Sequence, residues 1–414
     1  MSVAIIGGGP SGLMAAEVLI SAGFKVDLYE AMPSVGRKFL MAGKGGLNIT
    51  NDEPFDIFLS RYGSRRQNMQ AVLNNFSTDK LGYWLDKLGI DTFVGSSGRV
   101  FPSDMKAAPL LRKWLHRLRL AGVNFHMYHQ WIGWERGDDR ALIFNVKGER
   151  REVNVDAVIL ALGGMSWPQL GSNGDWVQIL QKQSVSIAPL RPSNCGFVAI
   201  WSEYFRNRFS GQPIKSVSIS VNNNVCLDIC HKGEFLVTEY GLEGGVIYAI
   251  SAQLRDEITR AGYVMIYIDL IPSISESAAL IRLNKNRGKQ SMANHLRKQL
   301  GIDGVKAGLL REMVRPTDFS DTEKLCALIK KLPIKLIRTR PIEEAISTAG
   351  GVEFAALDQN LMILEKPGVF CAGEMLDWEA PTGGYLLTAC LSLGYAAGLG
   401  VITHLNCVED LNEL

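Results

Sequence analysis

The sequence predicts an α/β fold in which a parallel-sheet nucleotide-binding domain is interrupted by an inserted region. Three stretches carry this prediction: a strand–turn–helix–strand unit at residues 3–30, an apolar strand that ends in glycines at residues 156–164, and a strand that leads into a long helix at residues 369–385. Such strands belong to one parallel sheet in doubly wound folds. We therefore expect the residues between the second and third stretches to be an insertion.

The first stretch, VAIIGGGPSGLMAAEVLISAGFKVDLYE, has the spacing of a dinucleotide-binding turn. Its apolar residues 3–6 predict a strand that is buried on both faces, and Gly7, Gly9 and Gly12 follow at the GxGxxG spacing. The first glycine permits the turn, the second lets a pyrophosphate approach the backbone, and the third lets helix and sheet pack closely. Pro10 and Ser11 open the helix, whose N-terminus favours an anion.

The residues after the second strand favour FAD over NAD. Glu30 ends that strand 21 residues after Gly9, where a carboxylate can bind both ribose hydroxyls, and Ala31 follows it. A simple NAD domain continues into its next helix at this point. FAD proteins of the glutathione-reductase-like group instead place a loop over the pyrophosphate and ribityl chain, and Arg37 and Lys38 fit that loop. A second glycine-rich turn offers N–H groups and a cation to the flavin side, through Gly43, Lys44, Gly45 and Asn48.

The two later stretches are expected to complete the FAD site. Residues 156–164, DAVILALGG, predict the strand that returns to the sheet and places Ala161 and Gly163 beside the cofactor, while Trp131 is expected near the adenine. After the strand at residues 369–372, Glu374 can accept hydrogen bonds from the ribityl chain. A helix N-terminus then faces the flavin pyrimidine, where its dipole favours negative charge. The residues expected there are Gly373, Asp377, Gly383, Gly384, Tyr385 and Leu386.

Changes in pattern along the chain predict the domain limits. From about residue 189 alternating strands with polar turns appear, and from about residue 275 helical patterns replace them until about residue 341. The predicted division has four parts: residues 1–188 as the first part of the FAD-binding domain, 189–274 as a β-rich inserted domain, 275–341 as a basic helical inserted domain, and 342–414 as the second part of the FAD-binding domain.

Composition excludes several classes of protein. The 414 residues are 47% hydrophobic and 21% charged, as in a globular protein, and no apolar run looks long enough to span a membrane. The seven cysteines include no CxxC pair, so neither a disulfide framework nor a metal site is expected. We expect a cytoplasmic protein that does not bind membranes. Nothing in the sequence indicates an oligomeric state.

Charge is concentrated in one part of the chain. Residues 278–340 contain 15 Lys and Arg against 5 Asp and Glu, whereas the remainder contains 29 basic and 37 acidic residues. One interpretation is a solvated helical surface, and the other is a surface that attracts a polyanion such as RNA. If this segment is helical, Arg282, Lys285 and Lys289 would share a stripe, although Gly288 interrupts it.

The chain resembles the BaiN-like flavoproteins, a family of NAD(P)/FAD-dependent oxidoreductases. The similarity covers nearly the whole length, in the motifs GGGPSG, GRKFLMAGKGGLNITN, DAVILALGG, GEFLVTEYGLEGG, EEAISTAGGV and AGEMLDWEAPTGGYLLTA. It implies a Rossmann-type FAD-binding domain split by an inserted β-barrel-like domain and a helical domain. The chain looks like a divergent branch, because Gly43-Lys44-Gly45-Gly46-Leu47-Asn48 replaces the GGGRCN turn of many relatives and Leu386 replaces the asparagine of their GGYN.

The resemblance also implies reduction of conjugated C=C bonds, with steroid-like and RNA uridine substrates among relatives. The favoured hypothesis is that NAD(P)H, docking transiently, reduces FAD, and that the flavin then reduces an electron-poor double bond while an acid protonates the other carbon. Lys44 and Tyr385 are the candidate acids. Two alternatives stay open: an FAD-dependent RNA base-modifying enzyme that uses the basic insertion, and a non-catalytic flavin-binding redox sensor.

Overall fold

The computed structural model describes the backbone of residues 1–42, 45–221 and 230–412, without the side chains of residue 139 and residues 409–412. It divides the chain into two compact units, each with its own hydrophobic core. The first contains Met1–Pro192 and Ile346–Leu414, and the second contains Ser193–Ala345. The second unit is therefore an insertion between the two parts of the first.

The first part of the first unit contains both strands and helices. Its elements are β1 Ser2–Ile6, α1 Pro10–Ser21, β2 Lys25–Glu30, α2 Arg37–Ala42, β3 Thr50–Asn51, α3 Phe55–Ser60, α4 Arg66–Asn75, α5 Thr78–Lys87, β4 Thr92–Val94, β5 Arg99–Pro102, α6 Ala107–Leu120, β6 Asn124–Met127, β7 His129–Glu135, β8 Asp138–Val146, β9 Glu149–Asn154, β10 Ala157–Leu160, α7 Trp176–Gln181 and β11 Ile187–Ser193.

The inserted unit and the returning part follow in the chain. The inserted unit contains β12 Phe197–Val198, α8 Glu203–Phe209, β13 Pro213–Val221, β14 His231–Val237, β15 Gly241–Glu243, α9 Gly245–Ala249, α10 Ser251–Ala261, β16 Val264–Asp269, α11 Glu276–Leu283, α12 Met292–Leu300, α13 Gly304–Met313, α14 Thr322–Lys330, β17 Leu332–Leu336 and β18 Arg338–Thr339. The returning part adds β19 Ser347–Val352, β20 Val369–Cys371 and α15 Tyr385–Asn412.

The described strands of the first unit include a parallel sheet in the order β20-β10-β1-β2-β6. Four of these five strands were predicted: β1 at residues 3–6, β2 as the strand that Glu30 ends, β10 within residues 156–164, and β20 at residues 369–372. Ile6 pairs with Leu160 and with Tyr29, and Leu160 pairs with Cys371. Because parallel strands point the same way, the glycine turn, Glu30, Ala161 and Ala372 all lie at one edge of the sheet.

Helix α15 is the main buried helix of this unit. The stretch Tyr385–Val408 is long and apolar enough to cross a membrane by length and composition alone, so the expectation that no apolar run reaches that length is wrong. In the structure, 56% of its most apolar window is buried. Glycines let α15 approach α1, since a Cβ on Gly394 would lie 2.1 Å from the Ser11 carbonyl oxygen. A helix that is apolar all round is typical of such a core position as well as of a membrane span.

The inserted unit is built on an antiparallel sheet, with described strands in the order β17-β16-β13-β14-β15-β12-β18. Its two edge strands, β17 and β18, are separated along the chain by Ile337 alone. The sheet therefore curls until its edges meet, which is a barrel-like arrangement. Strands β17 and β18 also show that the residues after Lys330, expected to be helical, are extended.

The basic residues 282–289 do not form the stripe that a continuous helix would give them. Helix α11 ends at Leu283, and Lys285 and Lys289 lie in the exposed segment beyond it, where Gly288 has a φ of 57°. Arg297 and Lys298 belong to the separate helix α12. The glycine and the polar run NKNRGKQ favour a turn here, so helical spacing does not align these charges.

Candidate functional site

A cavity of about 370 Å³ opens at the carboxyl edge of the parallel sheet. It is lined by the glycine turn after β1, the end of β2, the start of α2, the residues after β10 and the residues after β20, as expected for a nucleotide site at the carboxyl ends of parallel strands. The predicted cofactor residues that line it are Gly7, Gly9, Pro10, Ser11, Glu30, Ala31, Arg37, Lys38, Trp131, Ala161, Gly163 and Glu374.

The three glycines of the turn have different structural roles. Gly7 has a φ of +107°, and a Cβ there would lie 2.2 Å from the Ala161 carbonyl oxygen. A Cβ on Gly12 would lie 2.0 Å from the Gly7 carbonyl oxygen, so Gly12 allows α1 to pack on the turn without lining the cavity. A Cβ on Gly9 would meet nothing within 4 Å. Gly9 therefore leaves open space beside the backbone at the start of α1, where a pyrophosphate would fit.

Glu30 is fixed at the edge of the cavity by backbone donors. One carboxylate oxygen accepts the N–H of Gly8 at 2.9 Å and the other accepts the N–H of Met32 at 2.9 Å. The pKa of Glu30 is raised, because the effect of burial outweighs these hydrogen bonds and the charge of Arg37, both of which lower the pKa. Each oxygen keeps a second lone pair, so the carboxylate can still accept ribose hydroxyls.

Lys38 and Glu374 form an ion pair across the cavity wall. Lys38 Nζ lies 2.6 Å from a Glu374 carboxylate oxygen and 2.6 Å from Ser166 Oγ. The other Glu374 oxygen accepts the backbone N–H of Thr348 at 3.0 Å. The two predicted residues are thus brought together from positions 336 residues apart, and each stabilises the charge of the other.

Several buried polar atoms at this site lack partners among the described residues. They include Arg37 Nε, Trp131 Nε1 and Ser172 Oγ, whose residues line the cavity. A buried donor without a partner costs free energy, so it is expected to meet a ligand or water. Together with the open space at Gly9, these atoms show that the residues present fit a bound dinucleotide.

A second cluster surrounds the start of α15. The Tyr385 hydroxyl donates to a carboxylate oxygen of Glu53, which also bonds the Arg61 guanidinium, and Arg61 lies 5.7 Å from the centre of the Tyr385 ring. Burial and the hydrogen bond to Glu53 raise the pKa of the Tyr385 phenol well above its usual range. Burial alone would raise the pKa of Glu53, but hydrogen bonds from Arg61 and Tyr385 outweigh it and the pKa is lowered. The phenol therefore keeps its proton while Glu53 stays ionised.

Among the described residues, the other predicted residues, including Tyr385, do not line the cavity. Asp377 forms an ion pair with Arg65. The two glycines allow close packing: a Cβ on Gly373 would clash with the Ser11 side chain, and a Cβ on Gly384 would lie 2.5 Å from the Thr50 backbone. Lys44 lies outside the described residues, as does Gly43. Gly45, Asn48, Gly383 and Leu386 lie outside the cavity lining.

Sequence reasoning missed Glu53 and Arg61. Both come from segments with no motif, and the contact between Glu53 and Tyr385 joins positions 332 residues apart. Among the described residues, no group of three or more His, Cys, Asp or Glu side chains is arranged to hold a metal ion.

Comparison with known proteins gives consistent matches along the chain. The family model described as "HI0933-like protein Rossmann domain" matches residues 1–400. A "3-dehydro-bile acid delta(4,6)-reductase" from Clostridium scindens is 23% identical, over 96% of this chain and 98% of that protein. A "Ribosomal RNA dihydrouridine synthase" from Escherichia coli is also 23% identical, over 98% of this chain and 97% of that protein.

Solved structures show the same fold at lower identity. A flavocytochrome c3 fumarate reductase aligns with a TM-score of 0.53 and 15% identity, covering 97% of this chain and 78% of that one. A 3-ketosteroid delta1-dehydrogenase from Sterolibacterium denitrificans aligns with a TM-score of 0.52 and 12% identity, covering 97% of this chain and 99% of that one. At these identities the likeness shows the fold alone.

Proposed function

The chain belongs to the HI0933-like Rossmann family of FAD-dependent oxidoreductases, as its motifs indicated, and we propose that it reduces a conjugated C=C bond with electrons from NAD(P)H. The observation that carries the proposal is the proton held on Tyr385 by burial and by its hydrogen bond to Glu53, at the start of the helix that follows β20. Reduction of such a bond needs a hydride at one carbon and a proton at the other. FAD supplies the hydride chemistry when it is bound.

The residues of the cavity would bind and orient FAD. Glu30 would accept the ribose hydroxyls of its AMP half, and the open space at Gly9 would admit the pyrophosphate at the N-terminus of α1. Lys38 and Glu374 would fix the chain between the pyrophosphate and the ring. These four positions share the carboxyl edge of one sheet, which supports a single extended cofactor.

Tyr385 would supply the proton. The raised pKa keeps the phenol protonated at neutral pH, so a proton is present there for the substrate carbon. Glu53 holds the phenol oxygen in place; the hydroxyl proton, which points to Glu53 in the free protein, would turn to the substrate carbon, and Arg61 would balance the negative charge left on the oxygen. The same ion pair would orient the phenol before the substrate binds.

The substrate class is supported by the names of two relatives, both of which denote the addition of hydrogen to an unsaturated ring. An anaerobic stopped-flow experiment tests it. NADPH and NADH should bleach the flavin absorbance, and a ring enone, added once the flavin is reduced, should restore it in a single phase. Bleaching that is slow or absent with both nucleotides would instead indicate a redox sensor without turnover. Bleaching without reoxidation by any enone would contradict this substrate class.

A second candidate is modification of an RNA base, favoured by the exposure of the basic residues in the last turn of α11 and between α11 and α12. Arg282, Lys285, Arg287 and Lys289 are all exposed and available to phosphates. Each lost phosphate contact should reduce the slope of log affinity against log salt by roughly 0.7 to 0.9. Replacing Lys285 and Lys289 with Glu should flatten the salt dependence of RNA binding and leave FAD content unchanged. If the parent protein binds no RNA at low salt, this candidate fails.

A further inference from the structure

The inserted unit contains a cavity of about 340 Å³ between α8, α12 and α13 that the proposed reaction does not use. Arginines from all three helices line it: Arg208 from α8, Arg297 from α12 and Arg311 from α13. We call it the arginine cavity. Close packing brings two of the helices together, since a Cβ on Gly308 of α13 would lie 2.4 Å from the Phe209 ring of α8.

The three arginines are available to an anion. Within the described ranges none of them is joined to a carboxylate by an ion pair, and Arg208 instead lies over the rings of Tyr204 and Phe209. Two acids also line the cavity. Glu312 is held by the start of α8, where it accepts Ser202 Oγ–H at 2.7 Å, and Asp303 precedes α13. Three guanidinium groups against these two carboxylates leave a net positive charge.

A second cavity of about 340 Å³ adjoins the first and differs from it in chemistry. The two cavities share the lining residues Ala293, Ala307 and Arg311, so they adjoin each other at Arg311. Apart from Arg311, every residue that lines the second cavity is apolar, including Met292 and Phe319. We call it the apolar cavity.

A cationic compartment joined to an apolar one selects a ligand with both characters. We propose that the two cavities together bind an amphipathic organic anion, with its phosphate or carboxylate on Arg297 and Arg311 and its apolar body against Met292 and Phe319. Guanidinium groups bind both oxyanions through paired N–H donors. Burial of the apolar body adds affinity in proportion to the area removed from water. Cavities of this size hold small organic molecules.

Isothermal titration of the full-length protein tests the site with four probes: decyl phosphate, decanoate, decanol and inorganic phosphate, each below its micelle concentration. At least one decyl anion should bind more tightly than both decanol and inorganic phosphate by tenfold or more. The stronger of the two decyl anions identifies the head group, phosphate or carboxylate. Failure of both anions to bind, or equal binding of decanol, overturns the proposal.

Substitutions locate the binding. Arg297→Gln and Arg311→Gln should each weaken the preferred anion by about tenfold or more, because each removes a charge-assisted hydrogen bond. Arg136→Gln is the matched control, since it removes the same charge from an exposed turn position that lines neither cavity. It should leave the affinity unchanged, and an equal loss in this control would show that binding depends only on overall charge.

The apolar half has its own test. Met292→Glu places a carboxylate in the apolar cavity at the first turn of α12, where a helix tolerates an acid. It should remove the gain in affinity between butanoate and decanoate, whereas the parent should bind decanoate more tightly. Equal chain-length dependence in both proteins would place the apolar body elsewhere and overturn the proposal. FAD content should be the same in every variant, so failure here is separate from failure of the reductase proposal.

Discussion

Two alanine substitutions in the glycine turn should separate folding from cofactor binding. Gly9 has a φ of −80° and a ψ of −179°, which alanine adopts freely, and its added Cβ would meet nothing within 4 Å. Gly9→Ala should therefore keep the stability of the FAD-free protein or raise it by about 0.4 to 1 kcal/mol, through lower entropy of the unfolded chain. In the holoprotein the new methyl group would occupy the space beside the helix N-terminus.

Gly12→Ala should do the opposite. Alanine adds about 1 kcal/mol of helix propensity, but its Cβ would lie 2.0 Å from the Gly7 carbonyl oxygen. That oxygen is backbone and cannot rotate away, and Gly7 is itself held by its N–H to the Tyr29 carbonyl at 2.9 Å. Overpacking of this kind costs about 1 to 3 kcal/mol or more, so we expect a net loss of stability.

Urea unfolding of the FAD-free proteins, followed by tryptophan fluorescence, measures the first effect. Titration with FAD, followed by quenching of flavin fluorescence, measures the second. Gly9→Ala should weaken FAD about tenfold to a hundredfold, the value of one or two charge-assisted contacts to the pyrophosphate. Parental FAD affinity in Gly9→Ala, or a loss of stability as large as that of Gly12→Ala, would refute this interpretation of the turn.

Three further predictions follow from the site. Glu30→Gln should weaken FAD binding by about 1 to 3 kcal/mol, because the Gln amide cannot accept hydrogen bonds from both Gly8 and Met32 and still bind the ribose. Asp27→Asn, on the same strand, should leave FAD binding unchanged. The FAD affinity of the parent should fall with decreasing pH, because Glu30 becomes protonated. Since burial raises the pKa of Glu30, the fall should begin above the ordinary value of 4.5. An FAD affinity that does not change with pH would show that Glu30 does not bind the ribose. Tyr385→Phe should slow flavin reoxidation by an enone about 10² to 10⁴-fold without changing the rate of bleaching by NADPH. Tyr395→Phe, on the same helix, is the control. Equal reoxidation rates in the two variants would exclude Tyr385 as the proton donor.

The cofactor half of the site was predictable because its signals are local. Strand, glycine turn, helix and acid all lie within residues 3–30, and each has a spacing that backbone geometry imposes. The residues after β10 and β20 were found the same way, as apolar runs that end in glycine. One parallel sheet then places their ends together, so a list of local motifs becomes a site.

The chemical half was not predictable, because it depends on contacts between distant segments. Tyr385 was a candidate from its position at a helix start, but Glu53 carries no motif and meets it from 332 residues away. The basic stripe did not form because it required a helix through residue 289, whereas α11 ends at Leu283, before Lys285 and Lys289. Helix α15 itself was predicted, but its apolar length was underestimated, because glycines such as Gly394, which let it approach α1, interrupt its apolar run.

The central claim is that these separated segments bind one FAD, and the flavin content of the purified protein tests it most directly. After incubation with FAD and removal of the excess, the protein should be yellow and should release one FAD per chain on denaturation. A colourless protein that FAD does not reconstitute would contradict the account.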